Sequence, residues 1–473
     1  MRSNWLPEIV RRSQVGPYSR EADFDRALSR RIPELVKGYD LHFDPQVLVP
    51  SDDDLADRLY QAGLELFVEF GAYNQSTERR ITFSRKEVEE AVAAAPSAVI
   101  LGTGADAVVE AHREVESRAP CRMHSGPTGT PCSEYYHSLI LQSCAQEPLV
   151  DCLGHGSIAT YMGEPIIPGS PLEILAARAE AVAARQAVRK AGRPGMHIED
   201  NAVSLTCAGK MASLDPESGL RPSDGLLIAQ IPELKTNYDQ LSRVAHLQSL
   251  GMHTVDLMTP LVGGLGGGAA GTAVVTVASH LLGVICYQAS YHFMGHMHLL
   301  RSNNTDRMGL WIQAVAGQAL ARNTPMVAVN DIYAVSGLGT QELLWETAAG
   351  ALVGAVCGLH QHGIGATAGN EKDHTSGLEA RFQAEVAHAA LGITRAQANE
   401  FVLECLSHYE ASLGEPNLGR PFPEVYDLES LEPLQAWLDP YEQVRAELIT
   451  MGLDLEQGWR QARYDRHYDQ HPR

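Results

Sequence analysis

The hydrophobic pattern of residues 121–362 consists of short apolar runs, each with a polar side chain at or near its C-terminal end and followed by a longer helical stretch. Eight such runs occur, and eight is the number of strands that closes a parallel (β/α)8 barrel. They span residues 121–124, 150–155, 196–200, 226–230, 254–258, 284–288, 327–331 and 359–362. In such barrels the C-terminal ends of the strands carry the active site. Because the polar residues fall at these ends, the pattern predicts an enzyme.

Helical periodicity without strands lies on both sides of this region. Ser84 and Glu87 have the spacing of a capping box, which marks the start of one of the N-terminal helices. We therefore predict an α/β protein with a TIM (β/α)8 barrel at residues 121–392. Residues 1–120 form a helical extension packed on the barrel, and residues 393–473 form C-terminal helices that complete the same domain.

Composition narrows the functional class. Hydrophobic residues make up 44% of the 473 residues and charged residues 20%, which is enough for a large core. The net charge of −21 disfavours nucleic acid and an anionic membrane surface as partners. The eight cysteines include no C-x-x-C pair, and the first residues contain no apolar signal-peptide run. These features predict a reduced, cytoplasmic protein.

One uncharged stretch, residues 260–286, resembles a membrane span in length. Its cluster of glycines at 263–268 would cost roughly 1 kcal/mol per glycine in a helix. We therefore interpret it as a strand-end loop, a buried barrel helix and the next strand, and expect no membrane association. The histidine-containing segment 292–298 is then interpreted as a loop or lid after the sixth strand.

The strongest candidates for catalysis close the third strand. His197 and Glu199 lie two residues apart, so their side chains share one face of the strand. A carboxylate in a strand is costly unless it is used or paired, which favours a functional role. The structural alternative is that His197 bonds to a loop carbonyl while Glu199 pairs with an arginine.

Four more histidines, His124, His155, His360 and His362, fall near the ends of the first, second and eighth strands. We predict that they bind substrate through hydrogen bonds. The alternative is a zinc or iron centre built from His360, His362 and His124. No metal is the favoured prediction, because the chain lacks H-x-x-x-H and C-x-x-C spacings.

The remaining candidates end the fourth, fifth and seventh strands. Asp331 and Tyr333 share a face, and a carboxylate beside an aromatic ring suits a bound cation. We predict a catalytic role for Asp331 and a substrate contact for Tyr333; a helix N-cap is the alternative for Asp331. Gln230 and Asp256 are predicted to contact substrate or to orient a neighbour.

Four blocks of sequence in collinear order add a family resemblance. Residues 101–108, 126–134, 191–196 and 376–381 resemble the monomethylamine:corrinoid methyltransferase family, and the similarity extends over nearly the whole chain. The resemblance implies a TIM barrel and a homo-oligomer. It also implies transfer of a methyl group from an amine to a separate cobalamin-carrying corrinoid protein, with no covalently bound cofactor in this chain.

The alignment also implies departures from that family. Glu199 stands where the family carries pyrrolysine, an electrophilic imine that adds an amine, which a carboxylate cannot do. Leu257 stands at a family glutamate and Asp331 at a family glutamine, whereas Tyr333 is retained. We therefore expect a methylated amine that is already cationic, such as a quaternary ammonium.

Two rival functions remain at this level. One is a metal-dependent barrel enzyme that uses zinc at the histidines for demethylation or hydrolysis. The other is a non-catalytic relative that only binds a corrinoid protein or a ligand.

Overall fold

The computed structural model describes residues 5–200, 206–456 and 459–460. Eight parallel strands close a barrel in which each strand pairs with the next along the chain and the eighth pairs with the first. The predicted TIM barrel is therefore confirmed. The strands are Met123–Ser125, Cys152–Gly154, His197–Asp200, Gly225–Ala229, His253–Met258, Tyr291–Met294, Ala328–Tyr333 and His360–Ala366.

The position predicted for the sixth strand is wrong. Residues 284–288 do not form a strand, because the helix Ala269–Leu282 continues into a π-helical turn, Gly283–Tyr287. The strand is Tyr291–Met294, so residues 292–298 begin inside the barrel wall and are not a loop. A short apolar run that is buried on all sides has no periodicity that separates strand from helix, which explains the error.

The same helical stretch is the one in the described ranges that is long and apolar enough to cross a membrane. It spans Ala269–Tyr287, and 94% of its apolar window is buried inside the fold. It packs against the helices Asp53–Phe70 and Arg307–Asn323 in the layer around the barrel. Its apolar side chains therefore belong to the core.

Helices surround the barrel on all sides. The N-terminal helices are Leu6–Val15, Glu21–Gly38, Asp53–Phe70 and Arg85–Ala93, and the last of these begins with the predicted Ser84 capping box. The barrel helices are Glu134–Ala145, Pro171–Lys190, Cys207–Ala212, Tyr238–Leu250, Ala269–Leu282, Arg307–Asn323, Gln341–Val356 and Gly377–Ala389. The C-terminal helices are Arg395–Ser407, Phe422–Val425 and Gln435–Met451.

Residues 461–473, the end of the predicted C-terminal segment, lie outside the described residues. The proposed division of the chain at residues 120 and 392 stays a prediction.

Short strands lie outside the barrel. They are Ala72–Asn74, Arg79–Ile81, Ala98–Leu101, Val108–Ala111, Pro131–Cys132, Ser157–Ile158, Thr160–Tyr161, Glu164–Pro165, Lys235–Thr236, Leu261–Val262 and Met297–His298. Two of them, Ala98–Leu101 and Val108–Ala111, pair antiparallel, and we call residues 98–111 the floor hairpin.

The floor hairpin covers the N-terminal end of the barrel. Its Thr103 N–H donates to the Gly195 carbonyl at 2.8 Å, just before the third strand. A ring nitrogen of His253, the first residue of the fifth strand, lies 3.1 Å from the Ile100 carbonyl. A ring nitrogen of His360, the first residue of the eighth strand, lies 2.8 Å from the Ala111 carbonyl. The opposite, C-terminal end is therefore the end that can open to a substrate.

Strand alternation decides which side chains enter the barrel. The apolar ones form a cluster of their own with the floor hairpin, separate from the core between barrel and helices. Its members are Val99, Leu101, Val108, Cys152, Leu227, Val255, Leu257, Tyr291, Phe293, Val327 and Val329. Residues with the same parity on their strands, including Glu199 and Asp331, also face inward.

Gly283 gives a test of the corrected sixth element. A Cβ atom at Gly283 would lie 1.8 Å from Asp256 Oδ2 and 3.1 Å from His292 Nδ1. We expect Gly283→Ala to destabilise the protein by about 1–3 kcal/mol through overpacking, measured by urea unfolding. Gly38→Ala is the matched control, because nothing lies within 4 Å of its Cβ position. Equal stability of the two variants would contradict the packing of the π-helical turn on Asp256.

Candidate active site

Glu199 lies inside the barrel, and hydrogen bonds hold one of its two carboxylate oxygens. His124 Nδ1 lies 2.6 Å from Glu199 Oε1, and the Tyr291 hydroxyl donates to the same oxygen at 2.7 Å. All three side chains are fully buried. Glu199 Oε2 has no hydrogen-bond partner among the described residues. The carboxylate is thus anchored by one oxygen and presents the other to the barrel interior.

A second carboxylate reaches the same histidine from the floor hairpin. Glu110 Oε1 lies 3.0 Å from His124 Nε2, so each ring nitrogen of His124 faces a carboxylate oxygen. A neutral imidazole carries one N–H, whereas an imidazolium carries two. The arrangement therefore favours a positively charged His124 between Glu110 and Glu199.

The pKa shifts agree with this arrangement. Burial alone lowers the pKa of His124, but interactions with Glu199, Cys152 and Glu110 raise it well above its ordinary value. Burial raises the pKa of Glu199, but the charge and hydrogen bond of His124, together with smaller contributions from His197 and His362, bring that pKa down to about 2. Glu199 is therefore an ionised carboxylate at neutral pH.

A second polar group lies nearer the C-terminal end of the barrel. His362 Nδ1 lies 2.8 Å from Asp331 Oδ1, and the Tyr333 hydroxyl donates to Asp331 Oδ2 at 2.8 Å. The other ring nitrogen of His362 lies 2.8 Å from Thr128 Oγ1. Phe293 connects the two groups, with its ring centroid 4.7 Å from that of His362 and 5.4 Å from that of His124.

Two of the predicted histidines occupy the floor. His197 Nδ1 lies 2.8 Å from the Ser223 carbonyl, and its Nε2 lies 3.0 Å from the Tyr291 hydroxyl. Burial lowers the pKa of His197 to about 3, so the ring is neutral. His360 accepts from the Arg122 N–H at 3.0 Å and bonds to the Ala111 carbonyl, which uses both of its ring nitrogens. His197 therefore supports Tyr291 from below, and His360 joins the barrel to the floor hairpin.

Three predicted site residues lie outside the barrel interior. Asp256 sits between the inward-facing Val255 and Leu257, so it points to the surrounding helices. There it accepts from the Gln230 side-chain amide at 2.9 Å, and this amide also donates to the Ser279 carbonyl at 2.8 Å.

His155 likewise turns away from the barrel interior. Its Nε2 lies 3.2 Å from Asp200 Oδ1, and Lys210 forms an ion pair of 2.5 Å with the same carboxylate. The structure therefore does not bring His155, Gln230 or Asp256 to Glu199.

The arrangement of possible metal ligands differs from the predicted alternative. His124, Cys152 and Glu199 have ligand atoms within 4.8 Å of one another, and no other such group occurs among residues 5–200, 206–456 and 459–460. Of the predicted set His360, His362 and His124, the group contains His124 alone. Both nitrogens of that ring already face carboxylates. This arrangement fits ion pairs of His124 with Glu110 and Glu199 better than a metal centre.

Comparison with known proteins places this geometry in a family. The family model described as monomethylamine methyltransferase MtmB matches residues 6–453. The chain belongs to the MtmB family. Its relatives include monomethylamine methyltransferase MtmB2 of Methanosarcina acetivorans and MtmB1 of Methanosarcina barkeri. Each is 31% identical over 444 residues, which cover 93% of this chain and 96% of the relative. This family membership confirms the predicted resemblance and shows that the protein is a methyltransferase.

Solved structures of the MtmB family agree with the fold. The crystal structure of the Methanosarcina barkeri monomethylamine methyltransferase superposes with a TM-score of 0.92 at 30% identity. The match covers 96% of this chain and 99% of that one. A crystal structure of a hydroxylamine complex of MtmB superposes with the same score and coverage. The barrel and its helical surroundings are therefore those of the family.

Sequence reasoning missed four residues of this MtmB-family site: Glu110, Thr128, Cys152 and Tyr291. Tyr291 was missed because the sixth strand was placed too early, although its alternation with Phe293 was a usable strand signal. Glu110 lies two residues from Val108 on one face of a hairpin strand. The sequence therefore showed a charged residue at an otherwise apolar position of the hairpin strand. It did not show that this residue contacts His124 inside the barrel.

The low pKa of Glu199 predicts a dependence of stability on acidity. A carboxylate whose folded pKa is about 2 and whose unfolded pKa is near 4.5 stabilises the fold above pH 4.5 and loses this contribution as the pH falls towards 2. The free energy of unfolding of the unaltered protein should therefore fall by an amount on the order of 3 kcal/mol between pH 4.5 and pH 2. We expect Glu199→Gln to lack this decrease. Urea unfolding at several pH values measures it, with Glu217→Gln, at an exposed site, as the control. Parallel curves for Glu199→Gln and the unaltered protein would contradict the ion pair.

Proposed function

We propose that this methyltransferase takes a methyl group from a positively charged methylated amine and passes it to the corrinoid of a partner protein, without pyrrolysine. The observation that carries the proposal is the buried Glu199 carboxylate, ionised and with one oxygen unpartnered among the described residues. An anion of this kind attracts a cation and cannot act as the electrophile that pyrrolysine provides.

The charges inside the barrel support a cationic substrate. Glu110, Glu199 and Asp331 are three fully buried carboxylates, and two imidazoles, His124 and His362, contact them. A buried excess of negative charge is costly until a cation is bound. The rings of Tyr333 and Phe293 supply faces for cation–π contacts with a methylated ammonium.

The reaction needs no covalent attachment of such a substrate. The reduced corrinoid supplies the electron pair that accepts the methyl group. The C–N bond breaks and its electron pair stays on nitrogen, so a quaternary ammonium leaves as a neutral amine and no proton is required. In this proposal Glu199 and Asp331 hold the charge, Tyr333 packs on the methyl groups, and His197 positions Tyr291 beneath Glu199.

The surface around the C-terminal end of the barrel suits a protein partner. Met162 and Ile167 follow the second strand, and Leu299 and Leu300 follow the sixth; all four are exposed, Leu300 to 93%. Exposed apolar residues on the loops beside the strand ends are typical of protein interaction sites. We further propose, from the family resemblance and the eight free cysteines, that the enzyme is a cytoplasmic homo-oligomer.

A transfer assay tests the proposal. The purified protein is mixed with its cognate corrinoid protein in the Co(I) state, and methylation is followed by absorbance. The donors are methylamine, dimethylamine, trimethylamine and tetramethylammonium. We expect turnover with the permanently charged donor to exceed turnover with methylamine. No turnover with any methylated amine would reject the proposal.

Variants then connect the activity to the two carboxylates. Glu199→Ala and Asp331→Asn each remove a charged contact to the substrate, so we expect kcat/KM to fall about 10- to 100-fold. Glu217→Gln, which changes an exposed carboxylate, is expected to keep full activity. An unchanged kcat/KM in Glu199→Ala would show that the activity does not depend on this site.

A metal-dependent reaction is the second candidate, supported by the grouping of His124, Cys152 and Glu199. Equilibrium dialysis against zinc followed by elemental analysis distinguishes the two. We expect far less than one zinc per chain, because both nitrogens of His124 are engaged by carboxylates. Stoichiometric zinc that disappears in Cys152→Ser would favour the metal-dependent candidate.

A further inference from the structure

Glu110 reaches the proposed site from outside the eight barrel strands. It lies in Val108–Ala111 of the floor hairpin, on the inward face that it shares with Val108, and it is fully buried. Its Oε1 lies 3.0 Å from His124 Nε2, and its Oε2 has no hydrogen-bond partner within the described ranges. A buried carboxylate at an apolar position of a hairpin is unfavourable for folding unless a charged partner compensates it.

Groups from five different elements face the His124 ring. Two carboxylates contact its two nitrogens, a thiol and a phenol lie beside it, and a second imidazole lies 6.5 Å away between ring centroids. They are Glu110 of the floor hairpin, Cys152 of the second strand, Glu199 of the third, Tyr291 of the sixth and His362 of the eighth. Two further imidazoles, His197 of the third strand and His360 of the eighth, interact with His124 electrostatically. The carboxylates are the two groups that require an N–H from His124.

Glu110 therefore fixes the protonation state of His124. With Glu199 alone, a neutral ring could donate from Nδ1 and leave Nε2 as an acceptor. With Glu110 at Nε2, an acceptor there would face a carboxylate oxygen, which repels it. The second proton follows from the position of Glu110.

From this geometry we infer that Glu110 is a positioning residue, which holds His124 doubly protonated and so keeps Glu199 ionised and aimed into the barrel. The inference rests on the proposed function, because it assigns to Glu199 the charge that holds the substrate. Glu110 contacts His124, and the same Glu110 oxygen lies 3.8 Å from His360 Nδ1. Its removal acts through His124, and the effect depends on pH.

The first experiment needs no turnover. The unaltered protein is labelled with ¹⁵N-histidine, and the His124 resonances are assigned by their loss in His124→Gln. We expect both ring nitrogens to carry protons at pH 8 in the unaltered protein and one of them in Glu110→Gln. A neutral His124 in the unaltered protein, or an imidazolium that survives in Glu110→Gln, would overturn the inference.

The second experiment follows the binding of tetramethylammonium chloride by calorimetry between pH 6 and 9. Loss of one neighbouring negative charge lowers the pKa of His124, so its proton leaves at lower pH. Loss of this proton removes a positive charge beside Glu199, so the affinity for the cation changes at the pH where His124 titrates. We expect this change to occur about one to two pH units lower in Glu110→Gln than in the unaltered protein.

Val108→Ala is the matched control, because it loosens the same face of the hairpin without changing a charge. We expect it to lower the melting temperature and to leave unchanged the pH at which the affinity changes. An equal pH shift in both variants would reduce Glu110 to a packing role and overturn the inference. A failed transfer assay together with an imidazolium lost in Glu110→Gln would reject the proposed function alone.

Discussion

Charge compensation around one buried imidazole is the constraint on which the barrel interior depends. His124 lies between two carboxylates that have no access to water, and each of its ring nitrogens faces one of them. Isolated buried carboxylates would take up protons instead of staying ionised. Because the ring offers a proton to each, Glu199 is held as an anion in a site where solvent would otherwise be needed. The neighbouring Tyr291 hydroxyl adds a second donor to the same oxygen.

The fold closes the N-terminal end of the barrel, next to Glu110, His124 and Glu199. It leaves the C-terminal end of the barrel for a ligand. The floor hairpin and the rings of His197 and His360 close the barrel where the strands begin. Asp331, His362 and Tyr333 lie towards the strand ends, above Phe293. A ligand that enters among these side chains meets carboxylates and aromatic faces together, which is the surface that a methylated ammonium prefers.

The sequence predicted the architecture well because eight apolar runs of strand length, separated by helical stretches, admit few alternatives. It misplaced the sixth strand because residues 284–287 are all buried in a π-helical turn, where neither strand nor helix period is visible. For the site, the alternation of side chains along each strand decided which predicted residues face the barrel interior. His197 and Glu199 were correctly placed on one face, whereas Asp256 faces away from the interior because its neighbours on the strand take the inward positions.

Glu110 could not be assigned from sequence for a different physical reason. Its contact with His124 joins an element of the N-terminal extension to the first barrel strand through space, and no periodicity encodes which barrel end a hairpin covers. Only the resemblance to a family constrained the region around it, and that resemblance concerned blocks of sequence and not this carboxylate.

The origin of Glu110 also limits how the polypeptide can be divided. A fragment that starts at the first barrel strand would keep Glu199 and His124 but would lack the acidic group below them and the cover over Val255 and Val329. Such an excised barrel would be open to water at its base, and its central histidine would titrate as a partner of one acid instead of two. The extension is therefore as much a part of the barrel interior as the wall itself, although it contributes no strand to that wall.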